Sequence, residues 1–226
     1  MPSQHTVVVG GSSGIGLATA QHLVDAGGRV TITGRSENRL AAAWQRLGTE
    51  ARAMQMDASE AETVPAQFAR IGKFDHLVLA LGSGKGFGPL ATVSLADVRR
   101  GFEEKVFAHF ATAQAALPYL NPTGSITFVA AVSAHAAMPG TAGTILAAEL
   151  KPMRLNAVSP GVVDTPWWEV FPEDQKLAMF KEYAAKTPVG RVGQPEDIAQ
   201  AISFLIGNGF MTGHTLICDG GLRLAA

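Results

Sequence analysis

The chain has 226 residues, of which 47% are apolar and 16% are charged, and its formal net charge is −1. This length fits one α/β domain or two small ones, and the composition excludes both a disordered chain and the basic surface of a nucleic-acid-binding protein. The only cysteine, Cys218, excludes an internal disulfide framework, and the six histidines show no spacing typical of a metal site, so no metal is expected.

The polar N-terminal residues run directly into a strand-like segment, unlike the basic and then apolar layout of a signal peptide. No apolar run approaches the roughly 18 residues that a membrane helix needs. We therefore expect a cytoplasmic protein that has neither a membrane nor a nucleic acid as a partner.

Short β-branched or apolar segments alternate with longer segments of helical periodicity, which is typical of repeated β-α units and a mostly parallel sheet. Strands are predicted at residues 6–9, 29–33, 51–56, 75–80, 125–130, 154–158 and 214–218. Helices are predicted at residues 14–26, 37–47, 60–71, 95–117 and 195–206. No linker, repeat or charge block divides the chain, so one α/β domain over residues 1–226 is expected.

A glycine-rich segment connects the first predicted strand to the first predicted helix. Gly10 can form a tight turn, Gly14 lets the backbone approach a pyrophosphate, and Gly16 lets the helix pack closely on the strand. The N-terminus of that helix offers unpaired N–H groups to phosphates. Because strand, glycine spacing and helix agree, a dinucleotide-binding turn is favoured over an ordinary β-α turn.

The spacing Gly-x-x-x-Gly-x-Gly resembles the motif of the short-chain dehydrogenase/reductase family, with Val9 where that family usually has threonine. Residues 156–166, 190–198 and 212–221 resemble further segments of the family pattern, so the similarity covers nearly the whole chain. It implies a doubly wound, Rossmann-type three-layer sandwich with a seven-stranded parallel sheet. It also implies a nicotinamide cofactor and, commonly, a homodimer or homotetramer.

The residues after the second strand favour NADP(H) over NAD(H). A carboxylate there would bind the ribose hydroxyls and repel a 2′-phosphate, but the chain has Arg35 and Ser36, with no acid until Glu37. An arginine can form charge-assisted bonds to a phosphate, and Ser12 and Ser13 can add hydroxyl contacts. The alternative is that Arg35 is solvated beside a helix that Ser36 caps.

The resemblance implies further cofactor contacts. It places Asp57 near the adenine, although this residue can instead cap the helix after Ser59, and it places the Val163 backbone and Thr165 at the nicotinamide carboxamide. The family's Asn-Asn-Ala-Gly after the fourth strand is Leu-Ala-Leu-Gly here, at residues 79–82. The predicted cofactor-binding residues are Gly10, Ser12, Ser13, Gly14, Ile15, Gly16, Arg35, Ser36, Asp57, Ala58, Ala80, Gly82, Pro160, Gly161, Val163 and Thr165.

All four catalytic positions depart from the family pattern. Lys105 stands at the asparagine position, Ala131 at the serine position and Thr144 near the tyrosine position. The two tyrosines, Tyr119 and Tyr183, are not followed by lysine at the required spacing, so no Tyr-x-x-x-Lys motif exists.

The segment after Thr144 is short. Compared with the family pattern, roughly a dozen residues of the next helix are missing, and residues 144–150 form only about two helical turns. Two turns are too few for the usual crossover between parallel strands. Both a true deletion and a segment that the sequence does not include can explain this, and the second is favoured.

Other polar residues can replace the missing catalytic groups. Ser133 and His135 follow the fifth strand, where ligands bind in this architecture, and a histidine can act as acid or base near neutral pH. The alternative for both is a polar loop without a catalytic task. Lys105 is a third candidate, or else a solvated or ion-paired lysine beside Glu103 and Glu104.

Large apolar side chains, including two tryptophans, concentrate in residues 166–187. By resemblance this segment is the substrate lid, which suggests an apolar small-molecule pocket, although the same residues can pack on the core or in an oligomer interface. The sequence therefore predicts an NADP(H)-dependent oxidoreductase for a small carbonyl or alcohol, with non-standard catalytic residues. A catalytically inactive dinucleotide-binding regulatory or scaffold protein is the alternative.

Overall fold

The computed structural model describes residues 4–85, 92–130 and 152–224. Its strands are β1 (His5–Val9), β2 (Arg29–Gly34), β3 (Ala51–Gln55), β4 (Phe74–Leu79), β5 (Leu120–Val129), β6 (Arg154–Pro160) and β7 (Thr215–Cys218). They form one sheet in the order β3-β2-β1-β4-β5-β6-β7, and every neighbouring pair is parallel. The predicted seven-stranded parallel sheet is confirmed.

The helices alternate with the strands along the chain. They are α1 (Gly14–Asp25), α2 (Glu37–Leu47), α3 (Val64–Ile71), α4 (Leu95–Phe102), α5 (Ala108–Ala116), α6 (Glu173–Lys186) and α7 (Pro195–Gly207). A π-helical turn, Glu103–Phe107, joins α4 to α5, and Pro166–Val170 and Leu222–Leu224 are 3₁₀ helices. None of the helices in the described ranges is long and apolar enough to cross a membrane.

The core lies on both faces of the sheet. On β1, Val8 packs with residues of α1, α2 and α7, whereas Val7 and Val9 pack with residues of α3 and α5. This alternation follows from the period of two in a strand, whose successive side chains point to opposite faces. Helices therefore cover both faces, which confirms the doubly wound, three-layer Rossmann-type fold.

Several element boundaries differ from the predictions for identifiable reasons. The helix predicted at 95–117 is divided by the π-helical turn. The helix predicted from residue 60 begins at Val64, because residues 57–63 form turns in which Asp57 accepts hydrogen bonds from Ser59. Helix α6 was not predicted, since its apolar residues at 177–180 are consecutive in sequence and do not follow a helical period.

The strand order reverses between β1 and β4, which are neighbours in the sheet although two strands separate them in the chain. The connections on either side of this point run to opposite faces, so a crevice opens beyond the carboxyl ends of the two strands. The sheet topology therefore locates the expected ligand site at the turns that follow β1 and β4.

One buried histidine lies in the centre of the sheet. His76 of β4 is 3% exposed, and its Nδ1 lies 2.8 Å from the Ser125 hydroxyl of β5. Burial lowers the pKa of His76 from 6.5 to about 4, because the charged imidazolium is poorly solvated there. The folded protein therefore holds this ring neutral.

We predict that His76 makes the protein sensitive to acid. The unfolded chain takes up the proton first as the pH falls, so the free energy of unfolding decreases from about pH 6.5 towards about pH 4, by on the order of 3 kcal/mol for this group. Urea unfolding of His76→Gln at about pH 7.5 and about pH 4.5 should show a smaller decrease than the wild type. His22→Gln, at an exposed site, should behave as the wild type; equal pH dependence in all three proteins contradicts the prediction.

Candidate functional site

A cleft of about 720 Å³ lies at the carboxyl ends of the central strands. The turns after β1, β2, β3, β4 and β6 line it, together with the π-helical turn and residues of 166–187. Every predicted cofactor-binding residue except Ser36 lines this cleft. These residues are Gly10, Ser12, Ser13, Gly14, Ile15, Gly16, Arg35, Asp57, Ala58, Ala80, Gly82, Pro160, Gly161, Val163 and Thr165.

The glycine turn fits tightly between β2 and β4. The N–H groups of Gly10 and Gly11 both donate to the Thr33 carbonyl at 3.0 Å, and Gly10 has a φ of 83°. A Cβ on Gly10 would lie 2.5 Å from the Ala80 carbonyl oxygen, and one on Gly16 would overlap the Gly10 carbonyl. The turn therefore needs glycine at both positions, as the sequence predicts.

The start of α1 is open towards the cleft. Ser13 is the N-cap residue with an extended backbone, but its side chain forms no capping bond, so the N–H groups of the first turn lack a side-chain acceptor. A Cβ on Gly14 would lie 3.4 Å from the Thr165 side chain, which shows how closely the turn after β6 approaches. A helix N-terminus of this kind is suited to binding phosphate.

Two arginines line the cleft at the end of β2. Arg35 and Arg39 are both exposed, and neither forms an ion pair with a carboxylate within the described ranges. Ser36 caps α2 by accepting a hydrogen bond from the Arg39 N–H at 3.4 Å, so its role in cofactor binding stays a prediction. Sequence reasoning missed Arg39, because its side chain reaches the cleft only through the placement of α2 in the fold.

Asp57 does not cap the following helix, whose N-cap residue is Thr63, and its place near the adenine stays a prediction. Its Oδ1 accepts hydrogen bonds from the Ser59 N–H at 2.9 Å and the Ser59 hydroxyl at 2.6 Å, so it stabilises the local turn, although the helix itself begins only at Val64. The residue also lines the cleft. On the far side, the Val163 carbonyl accepts a hydrogen bond from the Trp168 indole at 2.9 Å.

Two charged residues of the π-helical turn, Glu104 and Lys105, also line the cleft. Glu104 accepts hydrogen bonds from Arg100 Nε and from the Ser83 hydroxyl, both at 2.8 Å, and these bonds lower the pKa of its carboxyl. Burial lowers the pKa of Lys105. No ion pair joins Lys105 to Glu103 or Glu104, so the ion-paired alternative for this lysine is wrong.

Aromatic side chains of residues 166–187 close one side of the cleft. Trp168 packs against Trp167, Phe171, Phe180 and Tyr183, with ring centroids 4.9 to 6.5 Å apart. The Trp167 indole donates to the Ser83 carbonyl at 3.1 Å and so links this segment to the turn after β4. The cluster gives the cleft an aromatic wall.

Comparison with known proteins identifies the family. A family model described as Enoyl-(Acyl carrier protein) reductase matches residues 9–223. The chain is 32% identical to cis-4-hydroxycyclohexanecarboxylate dehydrogenase of Sinomonas cyclohexanicum over 95% of this chain and 94% of that protein. The chain belongs to the short-chain dehydrogenase/reductase family.

Other members of the family support the same assignment. The chain is 31% identical to the 3-oxoacyl-(acyl-carrier-protein) reductase of Bos taurus, over 96% of this chain and 97% of that protein. A crystal structure of a small-chain dehydrogenase in complex with NADPH matches with a TM-score of 0.82 and 29% identity, over 98% of this chain and 99% of the other.

This short-chain dehydrogenase/reductase differs from its relatives in length. The alignment with the Sinomonas dehydrogenase spans 239 positions, more than the 226 residues of the chain, so that relative has residues without a counterpart here. The predicted shortening after Thr144 and the candidate residues Ser133 and His135 lie outside the described residues. Of the three candidate catalytic residues, Lys105 is the one that the described structure places in the cleft.

We predict that Gly10 tolerates no side chain, for steric reasons beyond its positive φ. Gly48 has nearly the same φ, 80° against 83°, but a Cβ there meets nothing within 4 Å. Gly48→Ala should lower the free energy of unfolding by about 1–3 kcal/mol, the cost of placing a side chain on a backbone with positive φ and a ψ of −165°. Gly10→Ala should cost about 1–3 kcal/mol more because of the contact with the Ala80 carbonyl. Chemical unfolding measures both, and equal losses refute the steric argument.

Proposed function

We propose that this protein is an NADP(H)-dependent oxidoreductase that acts on a small, apolar carbonyl or alcohol. The observation that carries the proposal is the pair of arginines, Arg35 and Arg39, which form no ion pair within the described residues and line the same cleft as the glycine turn. Two unpaired guanidinium groups at this position suit a 2′-phosphate, whereas a ribose without that phosphate would leave both unsatisfied.

The residues present fit a dinucleotide. The Gly10 turn and the start of α1 would bind the pyrophosphate. Glycine at position 10 leaves the turn without a side chain, and the first N–H groups of α1 have no side-chain acceptor. Asp57 and Ala58 would border the adenine, and the turn containing Val163 and Thr165 would receive the nicotinamide carboxamide. The carbonyl of Val163 is already bonded to Trp168, so its N–H is the group left for that contact.

The aromatic wall supports an apolar substrate. Residues 166–187 stand in the proposal as the substrate lid, with Trp167, Trp168 and Tyr183 lining the cleft. The names of two relatives agree with such a substrate, since one is a dehydrogenase of a hydroxycyclohexane carboxylate and the other a reductase of 3-oxoacyl groups. We infer that the substrate is a ring or short-chain alcohol, or the corresponding carbonyl compound.

NADPH supplies the hydride when it is bound. The chain must then orient the carbonyl, exclude water and provide a proton, and Ser133, His135 and Lys105 are the proposed groups for these tasks. We also propose that the chain forms a single domain, assembles as a homodimer or homotetramer, and is located in the cytoplasm. A catalytically inactive nucleotide-binding protein is the second candidate, because the chain lacks the Tyr-x-x-x-Lys motif.

We predict that the two arginines select NADPH. Charge-assisted hydrogen bonds contribute roughly 1.5–3 kcal/mol each, so Arg35→Ala and Arg39→Ala should each weaken NADPH binding about 10- to 100-fold. Binding of NADH should change little. Fluorescence titration with both cofactors measures the effect, and Arg46→Ala, at an exposed site of α2 outside the cleft, is the matched control. Equal losses for the two cofactors overturn the assignment.

We also predict turnover. Purified protein should oxidise NADPH in the presence of small cyclic or short-chain ketones, or reduce NADP⁺ with the matching alcohols, and Gly14→Val should abolish the reaction by obstructing the phosphate site. Absorbance at the reduced nicotinamide band across a carbonyl and alcohol panel is the measurement. NADPH binding without turnover anywhere in the panel favours the inactive alternative.

A further inference from the structure

We propose that Lys105 is the proton donor and acceptor of the reaction, in place of the tyrosine that the chain lacks. Its ammonium group gives a proton to the carbonyl oxygen during reduction and its amine takes one from the alcohol during oxidation. This inference rests on the proposed function, since it concerns the same cleft and the same reaction.

The position of Lys105 in the fold suits this role, because the residue lines the cleft. Lys105 lies in the middle of the π-helical turn Glu103–Phe107, a departure from α-helical geometry that occurs frequently at functional sites. His109 holds the turn in place: its Nδ1 lies 2.6 Å from the Lys105 carbonyl oxygen, and its Nε2 lies 3.2 Å from the Leu79 carbonyl at the end of β4. The same ring packs against Phe128 of β5. Lys105 is therefore fixed near the carboxyl ends of the strands next to the point where the sheet order reverses.

The ammonium group of Lys105 forms no ion pair within the described residues. The neighbouring Glu104 already binds Arg100 and Ser83, and no ion pair to Lys105 exists among the residues described. The other titratable groups that line the same cleft are Arg35, Arg39, Asp57 and Tyr183, and His109 on α5 contacts the Lys105 backbone. Burying a lysine partly without an anion to neutralise it costs free energy of folding. Groups perturbed in this way cluster at functional sites.

The Lys105 ammonium group is more acidic than an ordinary lysine. Burial is the cause that lowers the pKa of Lys105, because the charged form loses solvation and no neighbouring carboxylate restores it. A lysine with an ordinary pKa holds its proton too firmly to be an efficient acid near neutral pH, whereas a lysine with a lowered pKa releases it more readily. Burial and the absence of an ion pair thus give Lys105 the property that the reaction requires.

The proton transfer balances without a further reactant. As the carbonyl carbon accepts the hydride, the electron pair of the C=O π bond moves to oxygen, and this oxygen takes a proton from Lys105 Nζ. The N–H bond breaks and its electron pair stays on nitrogen. A proton from solvent restores the ammonium group, so one hydride and one proton convert the carbonyl compound to the alcohol.

Steady-state kinetics of three variants test the role. Lys105→Met should lower kcat for carbonyl reduction about 10²- to 10⁴-fold, the range for loss of a general acid. Lys105→Arg should be impaired as strongly, because arginine keeps the charge but does not release a proton. Lys73→Met is the control, since Lys73 is exposed at the start of β4, at the opposite end of the sheet. The wild-type rate of reduction should fall as the pH rises through the pKa of Lys105, and this limb should disappear in both Lys105 variants.

A second readout needs neither cofactor nor turnover. Acetic anhydride labelling of the free protein at a series of pH values, read by mass spectrometry, should show that the pKa of Lys105 lies below the ordinary value for lysine. Addition of NADPH should then protect Lys105 and leave Lys73 reactive. NADPH affinity of Lys105→Met should stay within a few-fold of the wild type.

These experiments distinguish a failure of the Lys105 role from a failure of the proposed oxidoreductase function. If the wild type turns over and Lys105→Met keeps its kcat, Lys105 is not the acid. If Lys105→Arg restores kcat, the residue is a charged anchor and the inference is wrong. If the wild type binds NADPH but never turns over, the proposed function itself fails, and an unlowered pKa of Lys105 in the labelling experiment refutes the inference independently.

Discussion

The close contact between the turn after β1 and the turn after β4 is the constraint on which the rest of the site depends. Gly10 bends back with a positive φ, its N–H donates to the Thr33 carbonyl, and its Cα lies against the Ala80 carbonyl with no room for a side chain. This contact brings three strand ends together where the sheet order reverses. Without it the start of α1 could not face the same cleft as the residues after β4 and β6.

The charges around that cleft are distributed unevenly. Arg35, Arg39 and Lys105 all line the cleft, and none of them forms an ion pair among the described residues. Glu104 also lines the cleft, but its carboxylate is occupied by Arg100 and Ser83. Positive charge lining a cleft attracts anions, and burial lowers the pKa of Lys105.

Much of the fold and of the cofactor side of the cleft was predictable from the sequence. The strands and α2 follow from local periodicity and capping, and the start of α1 follows from the glycine turn. These elements agree with the structure to within a few residues, apart from β5, which begins five residues earlier than predicted. The division of the long helix at Glu103–Phe107 was not predictable, because Phe102, Val106 and Phe110 recur every four residues across it and the apolar spacing shows no break. Arg39 and the Ser83–Glu104 bond were missed for a related reason: each joins the cleft only through the packing of separate elements.

The sequence by itself determined the family, the glycine turn and the absence of the Tyr-x-x-x-Lys motif, since these depend on residue type and spacing along the chain. Only the tertiary structure decided that Lys105 is half-buried in the cleft and that it forms no ion pair with any residue of the described ranges, including the two adjacent glutamates. In sequence those neighbours suggested an ion pair. The fold turned Glu104 towards Arg100 and Ser83, because a carboxylate binds the donors that the surrounding elements bring to it, whatever its neighbour along the chain.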